Sequence, residues 1–321
     1  MNNTFTNYKN DILGSGYEQL TLNFPDDYEG KVIATLVRKK SSLKTSKAIL
    51  HIHGFIDYFF HKEMAEQFNQ HGYDFYALDL RKYGRSILPH QKPYYVLNLK
   101  EYDAEITQAL KIIGDEGHSS IVLSGHSTGG LTVTLYAARH KDNQNIKALW
   151  LNSPFYDFNM GKLQKKFLLP RISKLGQKFN TLKIPSGMNK WYSYSLHKSL
   201  KGEWEFNLDW KPKFYTKLYI SFIHAIHEAH KELHNGLRFN IPVLVMHSDK
   251  TKNPKNYNHE VETSDVVLDV KTIEKYANKL QGDVNVITIK DGLHDLVLSA
   301  PNVRAEVYRQ LFSFLKAKNI E

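Results

Sequence analysis

Apolar and polar positions along the chain fall into short runs of two distinct periods. Residues 18–24 (EQLTLNF) and 31–39 (KVIATLVRK) alternate or are dense in β-branched side chains. Pro25-Asp26-Asp27 and Gly30 supply turn chemistry between them, so the pair is predicted to be antiparallel. Residues 47–53 (KAILHIH) read as a buried strand that ends at Gly54. The pattern then alternates. Helical spacing at 61–71, 99–113 and 131–139 separates strand-like runs at 73–80, 121–124 and 147–151. Two more strands are predicted at 241–247 (IPVLVMH) and 284–289 (VNVITI), with helices at 270–280 and 303–316 on either side of the last. Eight strands interleaved with helices in this way predict a mostly parallel sheet covered on both faces. No internal repeat interrupts the order.

The pattern breaks at 158–240, about eighty residues between the sixth and seventh predicted strands. A structureless loop of that length is implausible in a compact domain. Helical spacing around 161–179 and 213–237 and a wealth of aromatics predict a mainly helical cap above the C-terminal ends of the strands. The chain is thus divided into core (1–157), cap (158–240) and core (241–321). Its 321 residues, 41% hydrophobic, suit one large domain with an insertion better than two independent ones.

Composition narrows the chemistry. With no cysteine, disulfides, thiolate metal sites and cysteine nucleophiles are excluded. Residues 1–16 lack an apolar stretch behind a basic start, and no window approaches 18 uninterrupted apolar residues. Neither a signal peptide nor a membrane-spanning helix is therefore expected, and the protein is placed in the cytoplasm or peripherally on a membrane. The formal charge is +10. Basic residues read as scattered rather than grouped on one element, which argues against nucleic acid. A solvated lysine-rich surface and contact with an anionic membrane both remain open.

Gly125-His126-Ser127-Thr128-Gly129-Gly130 lies directly between a predicted strand and a predicted helix. A serine on so sharp a turn needs flanking glycines to relieve steric clashes, and the turn aims the helix N-terminus at a developing oxyanion. As a bare string the motif is a weak signal, and its strand–helix context gives it force. His53-Gly54-Phe55 ends the third strand, where such an architecture delivers a second oxyanion donor. The backbone N–H groups of Phe55 and Thr128 are accordingly assigned to the hole.

Sixteen histidines are present, so position must select the base. His294 stands in the loop after the last predicted strand and before the last helix, giving the chain order Ser, Asp, His. For the acid, Asp265 is favoured: a polar excursion before it can loop out, and one helix and one strand fit between it and His294. Asp249, at the end of the seventh predicted strand, stays open, with Asp157 an outside candidate. Asp295 is disfavoured because it adjoins the histidine.

Other signals are weaker. His224, His227, His230 and His234 share a helix face, and a half-buried face explains them better than a metal site. Arg81 and Arg85 read as loop braces in preference to substrate contacts.

The segments at 53–55 (HGF), 79–86 (DLRKYGRS), 125–130 (GHSTGG) and 292–295 (GLHD) resemble the monoacylglycerol lipase and lysophospholipase-like branch of α/β-hydrolases, also labelled serine aminopeptidase-like. The resemblance spans about residues 18–317 and is weakest in the cap. It implies the α/β-hydrolase fold, a triad of Ser127, His294 and Asp265, oxyanion donors Phe55 and Thr128, and no metal or organic cofactor. It further implies an esterase or lipase for acylglycerols, lysolipids or small acyl esters. A peptidase or amidase using the same residues, and a non-catalytic lipid-binding protein, are the rival readings. Dehalogenase and epoxide hydrolase chemistry would need aspartate at position 127.

Overall fold

The structure is a computed structural model that describes residues 7–320, so the first part of the segment read for a signal peptide lies outside the described residues. A short strand β1 (Lys9–Asn10) pairs with the long β2 (Tyr17–Asp27), which turns back antiparallel into β3 (Gly30–Lys39). Next come β4 (Lys47–Ile52), helix α1 (Lys62–Gln70), β5 (Asp74–Asp79), α2 (Asp103–Asp115), β6 (Ser120–His126), α3 (Thr128–Arg139) and β7 (Ile146–Asn152). The sheet order is β1-β2-β3-β5-β4-β6-β7-β10-β11, where β10 is Val243–Ser248 and β11 is Val284–Ile289. Antiparallel pairing ends at the contact of β3 with β5, and every later neighbour is parallel.

The main sheet thus has nine strands among the described residues, one more than predicted, because β1 is too short to show a period. Period-two alternation explains how the sheet fills two cores. On β4, Ala48, Leu50 and Ile52 face one cluster while Ile49 faces the other. The first cluster takes Ile106 and Leu110 of α2, Leu131 and Leu135 of α3, and Ile273 of α7 (Val270–Ala277). The second takes Met64 and Phe68 of α1 with Leu311 and Leu315 of the terminal helix, Pro301–Ala317. Burial on both faces is what the near-continuous apolar runs of the central strands require.

Between β7 and β10 the chain forms α4 (Leu169–Lys178), α5 (Trp191–Leu196) and α6 (Ile220–His234). The cap is mainly helical, as expected, but it also holds a two-stranded ribbon of β8 (Lys183–Pro185) and β9 (Lys217–Tyr219). Three-residue strands carry too little alternation to be read from sequence. Among the described residues, no helix is long and apolar enough to cross a membrane.

Two buried histidines make stability depend on pH. Burial pushes the imidazoles of His51 in β4 and His230 in α6 from the ordinary 6.5 down to about 3. The unfolded chain takes up both protons as pH falls through 6.5, whereas the folded chain does not, so stability declines below that point. Thermal melts should show Tm dropping between about pH 7 and pH 5, before most carboxylates titrate. A flat profile over that window would mean the two rings are not held neutral.

Candidate active site

β6 ends at a turn in which Ser127 sits at φ 52° and ψ −115°. A non-glycine residue adopts such a conformation only at a cost of about 1–3 kcal/mol, so its surroundings must enforce it. They do so by close approach. A Cβ on Gly125 would run into the Gly129 carbonyl, and one on Gly129 into the carbonyls of Ile52 and His53. The Ser127 N–H donates to the Asn152 carbonyl at 3.0 Å, and the Ser127 carbonyl accepts from Phe155 N–H at 2.9 Å.

His294 Nε2 lies 3.0 Å from Ser127 Oγ, and His294 Nδ1 lies 2.8 Å from Asp265 Oδ2. All three residues are buried. The second oxygen of Asp265 accepts from the N–H groups of Val267 and Leu268, both at 2.8 Å, which fixes the carboxylate plane. With Nδ1–H donated to this carboxylate, Nε2 is left with a lone pair directed at the hydroxyl. An imidazole so placed can accept a proton from the serine and remain oriented as it does.

Asp265 reaches the histidine because the polar excursion closes at its base. Lys252 N–H donates to the Asp265 carbonyl and Asp265 N–H to the Lys250 carbonyl, each at 3.0 Å, so residues 253–264 loop out and return. Asp249 is used elsewhere: its Oδ1 accepts from Asp291 N–H at 2.9 Å and fixes the loop after β11. Asp157 pairs with Lys165. Asp295 binds Asn152 Nδ2 at 2.7 Å.

Phe55 and Thr128 both line the cavity that opens over Ser127. The turn carrying Phe55 presses on the turn of Ser127, since a Cβ on Gly54 would lie 3.3 Å from Ser127 Cβ. His53 braces this turn. Its Nε2 accepts from Leu80 N–H at 3.1 Å, so its Nδ1 donates to the Gly54 carbonyl at 2.7 Å.

The cavity holds about 450 Å³. One side is apolar, lined by Phe158, Leu169, Ile172, Ile184 and Phe222 from the cap and by Phe55. The other carries a buried ion pair missed by the sequence reading, Lys211 Nζ to Asp57 Oδ1 at 2.6 Å. Burial alone would raise the Asp57 carboxyl, but the Lys211 ammonium holds it well below its usual range. A clue was present: Asp57 is a lone charge within Phe55-Ile56-Asp57-Tyr58-Phe59-Phe60. Tyr192 of α5 is also at the site, its ring 5.6 Å from that of His294.

The weaker signals resolve structurally. Arg85 pairs with Asp79 at 2.8 Å and Asp11 at 2.6 Å, and Arg81 pairs with Glu105, so both tie loops down. His230 and His234 meet the carbonyls of Phe155 and Tyr156 at 2.7 and 2.8 Å, while His224 meets Ser173 Oγ at 3.0 Å.

This sheet, with its helices and its strand–serine–helix turn, defines an α/β-hydrolase. The chain belongs to the serine aminopeptidase S33 family of hydrolases, whose model matches residues 44–301. Among solved structures, a soluble variant of monoglyceride lipase from Saccharomyces cerevisiae, in complex with a substrate analog, is similar in fold. It has a TM-score of 0.70 and 17% identity, over 97% of this chain and 98% of that one. Monoacylglycerol lipase from Paleococcus ferrophilus matches with a TM-score of 0.66 and 17% identity, over 94% and 99% of the two chains. Est1E from Butyrivibrio proteoclasticus, with ferulic acid bound, gives 0.59 and 17%, over 94% and 100%. At such identities the likeness is one of fold. No sequence match to a curated protein was found.

Because Gly129 leaves no space for a methyl group, Gly129→Ala should destabilise the fold by about 1–3 kcal/mol or more. Chemical denaturation would check this, and a neutral result would contradict the tight packing of the turn.

Proposed function

We propose that the protein is a serine carboxylic-ester hydrolase acting on acylglycerols, lysolipids or small acyl esters. The observation that carries this reading is the continuous chain from Ser127 Oγ through His294 to Asp265, at 3.0 and 2.8 Å, facing a largely apolar cavity. Ser127 attacks the ester carbonyl as His294 removes its proton, and the N–H groups of Phe55 and Thr128 receive the oxyanion. His294 then protonates the leaving alcohol and activates water to release the acid, while Asp265 holds the imidazole without taking its proton. No metal or organic cofactor enters these steps. The apolar wall, contributed mainly by the cap (residues 158–240), suits an acyl chain.

The family's name raises the aminopeptidase alternative. A free peptide N-terminus would call for an unpaired carboxylate, and Asp57, the carboxylate that lines the cavity, is already matched by Lys211. Ester substrates are favoured for that reason.

The cap also supports peripheral docking on an anionic membrane. Residues 158–240 contain 15 basic and five acidic residues, which accounts for the whole net charge of +10 and corrects the reading of scattered charge. From 158 to 202 there are ten basic residues and no acidic one. Eight of the eleven exposed large apolar side chains among the described residues lie in the cap, Leu163, Phe167, Leu175 and Phe179 among them. Exposed apolar side chains interspersed with lysine suit the interface of an anionic bilayer.

Ser127→Ala should lower turnover of a p-nitrophenyl ester by at least about four orders of magnitude and abolish labelling by a fluorophosphonate. Retained labelling would sink the assignment. Asp265→Asn should lower kcat by about 10³–10⁴-fold, whereas Asp249→Asn should leave it near that of the parent; the reverse ranking would reassign the acid. With roughly 1 kcal/mol per basic residue at such a surface, Lys162→Glu/Lys166→Glu/Lys174→Glu should weaken binding to phosphatidylserine vesicles by at least about 100-fold. Hydrolysis of a soluble ester should be unchanged. Equal binding by parent and variant would exclude docking through this face.

A further inference from the structure

Asp57, His61 and Asp295 are buried, and each offers a ligand atom lying within 4.8 Å of the others. They come from three separate segments. Asp57 follows the turn that carries Phe55, His61 precedes α1, and Asp295 adjoins His294. A fourth side chain, His126, brings its Nε2 to 3.9 Å from Asp295 Oδ2.

Two of these side chains, His61 and Asp295, hold buried polar atoms without hydrogen-bonding partners among the described residues. His126 Nδ1 faces the Asn152 carbonyl at 3.1 Å, and a carbonyl only accepts, so Nδ1 carries the proton and Nε2 presents a lone pair. That lone pair faces Asp295 Oδ2, another acceptor, which has no hydrogen-bonding partner among the described residues. The other oxygen of Asp295 is occupied by Asn152 Nδ2 at 2.7 Å. His61 is buried with neither ring nitrogen hydrogen-bonded, and its Nε2 lies 3.7 Å from the same Oδ2. A buried carboxylate oxygen and a buried imidazole, both without partners, call for a donor or a cation beside them.

We propose that this chamber is a divalent transition-metal site, suited to Zn²⁺, with Asp57, His61 and Asp295 as ligands. Mixed imidazole and carboxylate donors match that ion. Ligand distances of about 2.1 Å imply tetrahedral edges of roughly 3.4 Å, close to the 3.7 Å between His61 Nε2 and Asp295 Oδ2. One outer contact is that of a metal site: the Asn152 amide orients Asp295. Two buried carboxylates are opposed by one lysine, so the chamber has net negative charge to receive a cation. Asp57 and His126 also line the active-site cavity, which provides the way in. Three protein ligands leave the fourth position to water. The ion joins the turn that carries Phe55, the segment before α1 and the loop of His294.

The test uses the full chain, stripped with a chelator and titrated with Zn²⁺ alone. Calorimetry should give one tight site, and Tm should rise by at least about 3 °C at saturation. His61→Gln should weaken that site at least about tenfold, whereas His224→Ala/His227→Ala in the cap should leave it intact. Co²⁺ in the unaltered chain should give the intense visible absorption of a tetrahedral centre, a readout that survives if His61→Gln fails to fold. Absence of a tight site, undiminished binding in folded His61→Gln, or a weak octahedral cobalt spectrum would each overturn the proposal and leave water or a proton as the occupant.

Discussion

Ser127 and His294 stand 167 residues apart and must meet within hydrogen-bonding distance while the serine backbone is held in a conformation it disfavours. Asn152, at the end of β7, governs both requirements. Its carbonyl accepts the Ser127 N–H, its amide nitrogen donates to Asp295 beside His294, and its amide oxygen accepts Leu296 N–H at 3.2 Å. The Ser127 turn and the histidine loop are therefore registered on one residue. The parallel neighbours β4, β6, β7 and β10 bring that residue to the right place. Strain at Ser127 is sustained by this framework, with Gly125 and Gly129 removing the side chains that would forbid it.

Supports of this kind recur around the site. Asp265 arrives through a loop whose two ends are bonded together, so a polar excursion of a dozen residues does not disturb its aim. The same excursion carries load above the sheet: Trp191 donates to the Lys255 carbonyl at 3.0 Å and stacks edge-on with Tyr257. Lys211 reaches down from the cap to Asp57 in the core. The cap is thus tied to the core at the walls of the cavity, while its outer side presents exposed apolar residues and lysines.

The strands were legible where they are buried on both faces, because a continuous apolar run has few other uses in a chain of this composition. The helices that pack on them were legible from their spacing, with ends displaced by a turn or less: the predicted helix at 99–113 became a tight turn at Leu99–Tyr102 followed by α2. Elements below the length of a period, such as β1, β8 and β9, left no trace in the pattern. The ion pair of Asp57 with Lys211 was hidden for another reason. Its partners lie 154 positions apart, and neither sits in a motif that announces the other.

By itself the sequence determined the alternating sheet, the place of Ser127 between strand and helix, and the place of His294 after the last strand. Each of these follows from local rules of period, turn chemistry and chain order. Only the tertiary structure placed Asp265, and not Asp249, against His294, because both lie at the same edge of the sheet and the contact depends on where a loop closes. It alone also brought Asp57, His61, His126 and Asp295 together, since their encounter is a product of packing between segments and has no local signature.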